Sequence, residues 1–323
     1  MKNITILGGG VLGSQIAFQT CYCGYNVTIY LRSKESIKRC KKRLEEVKKS
    51  YIDAINIMKK EKNINTWSLG IADFDKFNAS KSLKNVEEVL NKINFEIDLE
   101  KSVCDADLVI ESMSEDFDAK KDIYGKIAPL LPEKTILVTN SSTMLPSKLA
   151  KFTKRENKFL ALHFANSIWK NNIVEVMMHK DTNEKYFEEV IDFAKSIRMI
   201  PLPLRKEKSG YLLNSMLIPL LFSGLDLLVN GISDVESIDT AWKRGTGAPK
   251  GPFEILDIVG LETAKNIVLQ YQKVPNLFDP LLKKMMMPYN FDGMLEILNK
   301  YIDKGKLGKA TKEGFYKYDK GKK

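Results

Sequence analysis

Imidazole is scarce in this 323-residue chain: His163 and His179 are its only two histidines. The four cysteines, Cys21, Cys23, Cys40 and Cys104, form no CxxC pair and have no histidine nearby to complete a zinc set. No metal site and no disulfide scaffold is expected, and the thiols read as free groups of a cytoplasmic protein. Arginine is rare as well, seven residues against 44 lysines. The net charge of +10 is therefore mostly lysine spread along a solvated surface. Arginines clustered with aromatics, the better sign of nucleic-acid binding, are missing, and that partner class is set aside. One apolar stretch, Tyr211 to Val229, reaches membrane length but carries Asn214, Ser215, Pro219, Ser223 and Asp226. Such a segment is expected as a buried helix, with no membrane partner. The chain opens on strand-like Lys2-Asn3-Ile4-Thr5-Ile6, so no signal peptide is expected. There is no internal repeat and no low-complexity tract.

What is present is ordinary globular composition, 44% hydrophobic and 28% charged, long enough for two cores. In the first half, β-rich runs alternate with helical patterns. Ile4–Leu7, Asn26–Leu31, Asp107–Ile110, Thr135–Val138, Phe159–Phe164 and Ile173–Met178 read as strands. Val11 to Cys23 reads as a helix stopped by Gly24, and Leu44, Val47, Tyr51, Ile55 and Met58 line one face of a long polar helix from Ser36. This alternation predicts an α/β fold with a doubly wound, mostly parallel sheet of Rossmann type. After Pro201-Leu202-Pro203 apolar helices dominate. The domains are therefore expected as 1–203, binding a dinucleotide, and 204–323, all-α, with a frayed lysine tail (Lys317, Lys320, Lys322, Lys323).

Gly8-x-Gly10-x-x-Gly13 follows a predicted strand and opens a predicted helix, the context in which this spacing cradles a pyrophosphate. Gly8 permits the tight turn, Gly10 the close approach of backbone to phosphate, and Gly13 the packing of helix on strand. Val11 and Leu12 belong to the same turn. An NAD site usually ends its second strand on an acid that takes the ribose hydroxyls. Here Leu31-Arg32-Ser33-Lys34 stands there. Arg32, with Ser33 and Lys34, suits a 2′-phosphate, so NADP(H) is favoured over NAD(H); the alternative is that Arg32 and Lys34 are only surface charges.

His163 lies at the end of a predicted strand, where ligands of open α/β sheets gather. Glu175 sits in the otherwise apolar Ile173–Met177, where a carboxylate is expensive unless paired. The two suggest a His-Glu acid/base dyad. From spacing alone, a structural histidine and a solvent-facing edge glutamate fit as well.

Six further stretches run in one order: NSST (140–143), LHFAN (162–166), IVEVM (173–177), GYLLNSML (210–217), GAPKGPFEILDIVGL (247–261) and EGFYKY (313–318). With the glycine motif they resemble the L-3-hydroxyacyl-CoA dehydrogenase family over residues 1 to about 318. HFAN, Trp169, Asn171-Asn172 and the run 140–147 look most like its diketoreductase subgroup. The resemblance implies an NAD(P)-dependent oxidoreductase interconverting 3-hydroxyacyl-CoA and 3-oxoacyl-CoA. It assigns His163 as acid/base, Glu175 as its orienting partner, and Ser142 and Asn214 as donors to the reacting oxygen. Glu115, Lys120, Asn140 and Asn166 fall on the cofactor side, and Glu111 receives no role. A helical hairpin inserted in the first domain and a homodimer formed through the second are implied too.

Three features depart from the family pattern. The acid after the second strand is missing, HFFNP is HFANS, and the stretch before Asp107-Leu108-Val109-Ile110 is longer than usual. Lys59, Lys60 and Lys62 there are candidates for CoA phosphates or plain surface charge. Two other readings remain: a non-catalytic nucleotide-binding protein of the same fold, and a reductase or dehydrogenase of non-CoA β-keto or hydroxy acids, of diketoreductase or L-gulonate type.

Overall fold

The computed structural model describes residues 1–272 and 289–318; Lys320, Lys322 and Lys323 of the expected frayed tail lie outside them. Contacts divide the chain into two compact units, Met1–Leu212 and Leu213–Lys323.

The first unit is built on β1 (Asn3–Leu7), α1 (Val11–Tyr22), β2 (Asn26–Tyr30), α2 (Lys34–Glu61), α3 (Ala79–Lys92), β3 (Ile93–Glu96), α4 (Leu99–Val103), β4 (Leu108–Glu111), α5 (Phe117–Ile127), β5 (Ile136–Thr139), α6 (Pro146–Ala150), β6 (Phe159–Phe164), β7 (Ile173–Met177), α7 (Glu184–Ser196) and β8 (Ile200–Leu204). The eight strands form one sheet in the order β3-β2-β1-β4-β5-β6-β7-β8. All neighbours are parallel except β6 and β7, which run antiparallel and set His163 opposite Glu175. The order reverses at β1, so the crevice beyond the ends of β1 and β4 is the switch point where such sheets bind ligands.

Local sequence accounts for most of these elements. The stripe Leu44, Val47, Tyr51, Ile55 and Met58 buries one face of α2, and Ser33 caps that helix by accepting the Ser36 amide at 3.2 Å. The helix packs against α3, and Lys48 and Glu87 bridge the two at 2.6 Å. Two strands escaped the sequence reading. β3 is four residues long and continues directly from a helix. β8 contains Pro201 and Pro203, which normally argue against a strand. It lies at the sheet edge, where Ile200 donates to Asn172 O and Leu204 O accepts from Met178. The even-numbered residues face β7, so the prolines fall where no ladder bond is needed. The first unit therefore extends to Leu212 rather than closing near residue 203.

The second unit carries α8 (Leu213–Val229), α9 (Val235–Thr246), α10 (Pro252–Val259), α11 (Leu261–Gln272) and α12 (Phe291–Ile302). Two buried carboxylates organise it. Asp239 accepts the amides of Phe253 and Glu254 at 2.8 and 3.0 Å, capping α10, whose own N-cap is Gly251. Asp257 accepts the amides of Phe315 and Tyr316 at 2.8 and 2.9 Å, fastening the closing segment. The two C-terminal motifs thus have a packing reason. Among the described residues no helix is long and apolar enough to cross a membrane.

Candidate active site

At the switch point lies a cleft of about 550 Å³, within the range of small-molecule sites. Its walls come from the C-terminal ends of four strands: Gly8, Gly10, Val11 and Leu12 after β1; Tyr30, Leu31, Arg32 and Ser36 after β2; Ser112 to Glu115 after β4; Asn140 and Ser142 after β5. Gly8 has φ +104°, and a Cβ there would stand 2.7 Å from the Ser112 carbonyl oxygen. Gly13 lies under the turn rather than on its wall, and a Cβ on it would run into the Gly8 carbonyl.

Beside the β5 end, three side chains form a relay. The Ser142 hydroxyl is 3.0 Å from His163 Nε2, and His163 Nδ1 is 2.9 Å from Glu175 Oε2. The carboxylate accepts a hydrogen bond from Nδ1–H, which leaves the Nε2 lone pair facing Ser142. His163 is 12% exposed and Glu175 3%. Glu175 Oε1 accepts the Leu212 amide at 2.8 Å, so both carboxylate oxygens are engaged. Such a chain can hold or pass a proton at Nε2 and present a hydroxyl beside it.

The serine loop is itself fixed by a carboxylate. Glu115 accepts the Ser141 hydroxyl, the Thr143 amide at 2.8 Å and the Thr143 hydroxyl at 2.8 Å. Burial raises its pKa, but these hydrogen bonds and the charge of Lys120 outweigh burial and hold it below the ordinary value. Behind it, Glu111 is fully buried and accepts from Lys120 at 2.7 and 2.9 Å, Tyr124 at 2.7 Å, Thr139 at 2.8 Å and the Met113 amide at 2.8 Å. This hub joins the ends of β4 and β5, and with them the two walls that carry Glu115 and Asn140.

Two family models match the chain in sequence order. That of the 3-hydroxyacyl-CoA dehydrogenase NAD binding domain covers residues 3–208, and that of the 3-hydroxyacyl-CoA dehydrogenase C-terminal domain covers 210–318. The chain belongs to the 3-hydroxyacyl-CoA dehydrogenase family. Human mitochondrial hydroxyacyl-coenzyme A dehydrogenase is 31% identical over 318 residues, 98% of this chain and 91% of that protein. The 3-hydroxybutyryl-CoA dehydrogenase of Clostridioides difficile is 28% identical over 322 residues, 98% of this chain and 100% of that one. A solved diketoreductase, described as carrying out substrate-directed dual catalysis of dicarbonyl compounds, is 45% identical with a TM-score of 0.81, over 98% of this chain and 99% of that one.

A 3-hydroxyacyl-CoA dehydrogenase fold with an NAD-binding domain takes a nicotinamide dinucleotide, and the cleft fits one. The glycine turn leaves open space above Gly10, and α1 points its N-terminus there. Asn140 Oδ1 accepts the Phe164 amide at 3.0 Å, which leaves its NH2 to serve as donor.

Not every residue placed on the cofactor side lines this cleft. Lys120 is 1% exposed and spends its charge on Glu111 and, at 3.5 Å, Glu115; it reaches the cleft only through Glu115. Ser33 serves as helix cap, its hydroxyl turned to Ser36. Asn166 is exposed off the cleft wall, its carbonyl accepting from Asn171 at 2.9 Å. Asn214 is carried by the second unit, in the first turn of α8. His179 is buried, 3.1 Å from the Glu156 carbonyl, as a structural residue.

Sequence reasoning also passed over two arginines. Arg39 Nη2 donates to Ser36 Oγ at 3.0 Å, and Arg43 Nη1 to Gly9 O at 3.4 Å. Three of the seven arginines (32, 39 and 43) fall within twelve positions; that concentration was the available signal.

Proposed function

We propose that this chain is an NAD(P)-dependent oxidoreductase that interconverts 3-hydroxyacyl-CoA and 3-oxoacyl-CoA. The observation that carries the reading is the Ser142–His163–Glu175 relay beside the glycine-turn cleft. In the oxidation direction Nε2 of His163 takes the substrate hydroxyl proton, and Glu175 stabilises the resulting imidazolium. Ser142 donates to the same oxygen and holds its carbon in line. In reduction the imidazolium returns the proton as negative charge builds on the carbonyl oxygen. The nicotinamide, when bound, gives or accepts the hydride. On the resemblance alone, Asn214 is the second donor to that oxygen.

The test is NADPH or NADH absorbance decay with acetoacetyl-CoA. His163→Gln abolishes turnover and leaves cofactor affinity nearly intact. An unchanged rate would remove the mechanism, and a wild-type protein inert on every substrate would support a non-catalytic nucleotide-binding role instead. The 45% identity to a diketoreductase favours a second substrate reading, a β-dicarbonyl compound without CoA. A panel of acetoacetyl-CoA, longer 3-oxoacyl-CoAs and β-keto acids and esters separates the two.

For the cofactor we propose NADP(H) over NAD(H). Arg32 lines the cleft at the β2 end, and the one carboxylate among the described lining residues is Glu115, after β4. The carboxylate at the end of β3, Glu96, is turned onto the amides of Ile97 and Asp98. Arg39 and Arg43 add positive charge on α2, which begins two residues after Arg32. A charge-assisted bond is worth about 1.5–3 kcal/mol, so Arg32→Ala lowers kcat/KM for NADPH by roughly 10- to 150-fold and spares NADH. A clear NADH preference untouched by Arg32→Ala overturns the assignment. A homodimer and a cytoplasmic location complete the reading; sedimentation as a monomer, or fractionation with another compartment, would refute them.

A further inference from the structure

We propose that Tyr211 is a positioning residue for the relay, and that the segment 208–212 acts as a brace over it; this rests on the dyad reading above. The ring of Tyr211 stacks on that of His163, with centroids 4.5 Å apart and planes at 24°. Its hydroxyl donates to the carbonyl of Ser141 at 2.6 Å, one residue before Ser142. Leu212, which follows Tyr211, gives its amide to Glu175 Oε1 at 2.8 Å. One short segment therefore touches the imidazole face, the carboxylate and the backbone that carries the serine.

The brace is held in an unfavourable backbone conformation. Tyr211 has φ +53°, following Gly210 at +80°, and a bulky residue rarely occupies the left-handed region. Such conformations persist where the surroundings over-determine them. Here they do: Tyr211 is 1% exposed against Ala161, Met177 and Leu204, its amide donates to Lys208 O at 3.1 Å, and the Lys208 amide lies 3.3 Å from Met177 Sδ. Burial and the carboxylates of Glu115 and Glu175 push the phenol well above its ordinary range, so the ring that stacks on the imidazole is neutral. Its part is to stop the imidazole from turning about Cβ–Cγ and to fix the distance from Ser142 to Nε2. A loss of that order is felt in the chemical step, because reacting groups must lie within a narrow near-attack geometry.

The test compares Tyr211→Phe, Tyr211→Leu and His163→Gln in steady-state kinetics with acetoacetyl-CoA, beside cofactor affinity by fluorescence. Tyr211→Phe keeps the stack and loses one hydrogen bond, worth about 1 kcal/mol; it lowers kcat about fivefold with KM and cofactor affinity unchanged. Tyr211→Leu loses both and lowers kcat roughly 10- to 70-fold, again without a change in KM. The larger effect on kcat and its partial rescue by phenylalanine separate positioning from general loosening. Wild-type kcat in Tyr211→Phe beside an inactive His163→Gln sinks the brace alone, and still does so where the leucine variant does not fold. Equal losses in the two Tyr211 variants, or losses in KM, overturn it as well. A fully active His163→Gln sinks the dyad reading itself, and the brace with it.

Discussion

Glu175→Gln tests how much of the acid/base chemistry depends on one buried charge. Glu175 accepts N–H groups from His163 Nδ1 at 2.9 Å and from Leu212 at 2.8 Å, and is 3% exposed. Glutamine offers one oxygen and one NH2, so one of these donors must face another donor. If the oxygen stays with Leu212, the imidazole loses its acceptor and its preferred tautomer. If the amide turns the other way, the imidazolium still loses the negative charge that stabilises it. Hydrogen bonds to charged groups contribute about 1.5–3 kcal/mol, equal to roughly 10- to 150-fold in rate. Positive charge on the ring develops only as the proton is taken, so the loss belongs to the transition state. Steady-state oxidation of a 3-hydroxyacyl-CoA is therefore expected to show kcat and kcat/KM falling together, with KM unchanged. Cofactor affinity, read by fluorescence, should stay at the wild-type value, because Glu175 is not on the cleft wall. A rate within twofold of wild type, or a loss confined to KM, would refute the reasoning.

Further outcomes follow from other parts of the first unit. Lys120→Met leaves the Glu111 carboxylate buried with its cation removed and is expected to cost about 3–5 kcal/mol in urea unfolding; a cost below 1 kcal/mol would show the pair is not what fixes the hub. Gly13→Ala puts a methyl group against the Gly8 carbonyl, and about 1–3 kcal/mol of overpacking should appear as a roughly 5- to 150-fold loss of cofactor affinity, with far-ultraviolet circular dichroism unchanged. Asp107 is partly buried, which raises its pKa, but Lys134 and the amides of Asn3 and Lys2 outweigh this and lower it to about 2. A depressed carboxylate stabilises the fold above its unfolded pKa and loses that contribution as pH falls through the folded value. Urea midpoints measured from pH 7 to 2 should therefore drop more steeply for wild type than for Asp107→Asn between about pH 4 and 2; parallel curves would refute it.

What the sequence determined on its own was local. Gly8, Gly10 and Gly13, set between a β-rich run and a helical pattern, mark a strand–turn–helix, and the stripe from Leu44 to Met58 marks the buried face of α2 without reference to anything distant. These signals depend on residues within a turn or two of one another. The ordered motifs from Asn140 to Tyr318 also carried the family, because each is a contiguous string. Tertiary structure decided everything that depends on which distant groups meet. His163 and Glu175 became partners only when β6 and β7 paired antiparallel in a register that sets them opposite. Lys120 looks like any surface lysine until the fold buries it against Glu111 at the end of β4. Pro201 and Pro203 spoke against a strand, and only the edge position of β8 made room for them. The hydroxyl of Tyr211 reaches a carbonyl seventy positions earlier in the chain. Hydrophobic period and turn chemistry are written in neighbouring residues, whereas strand register and burial are set by the whole chain closing on itself.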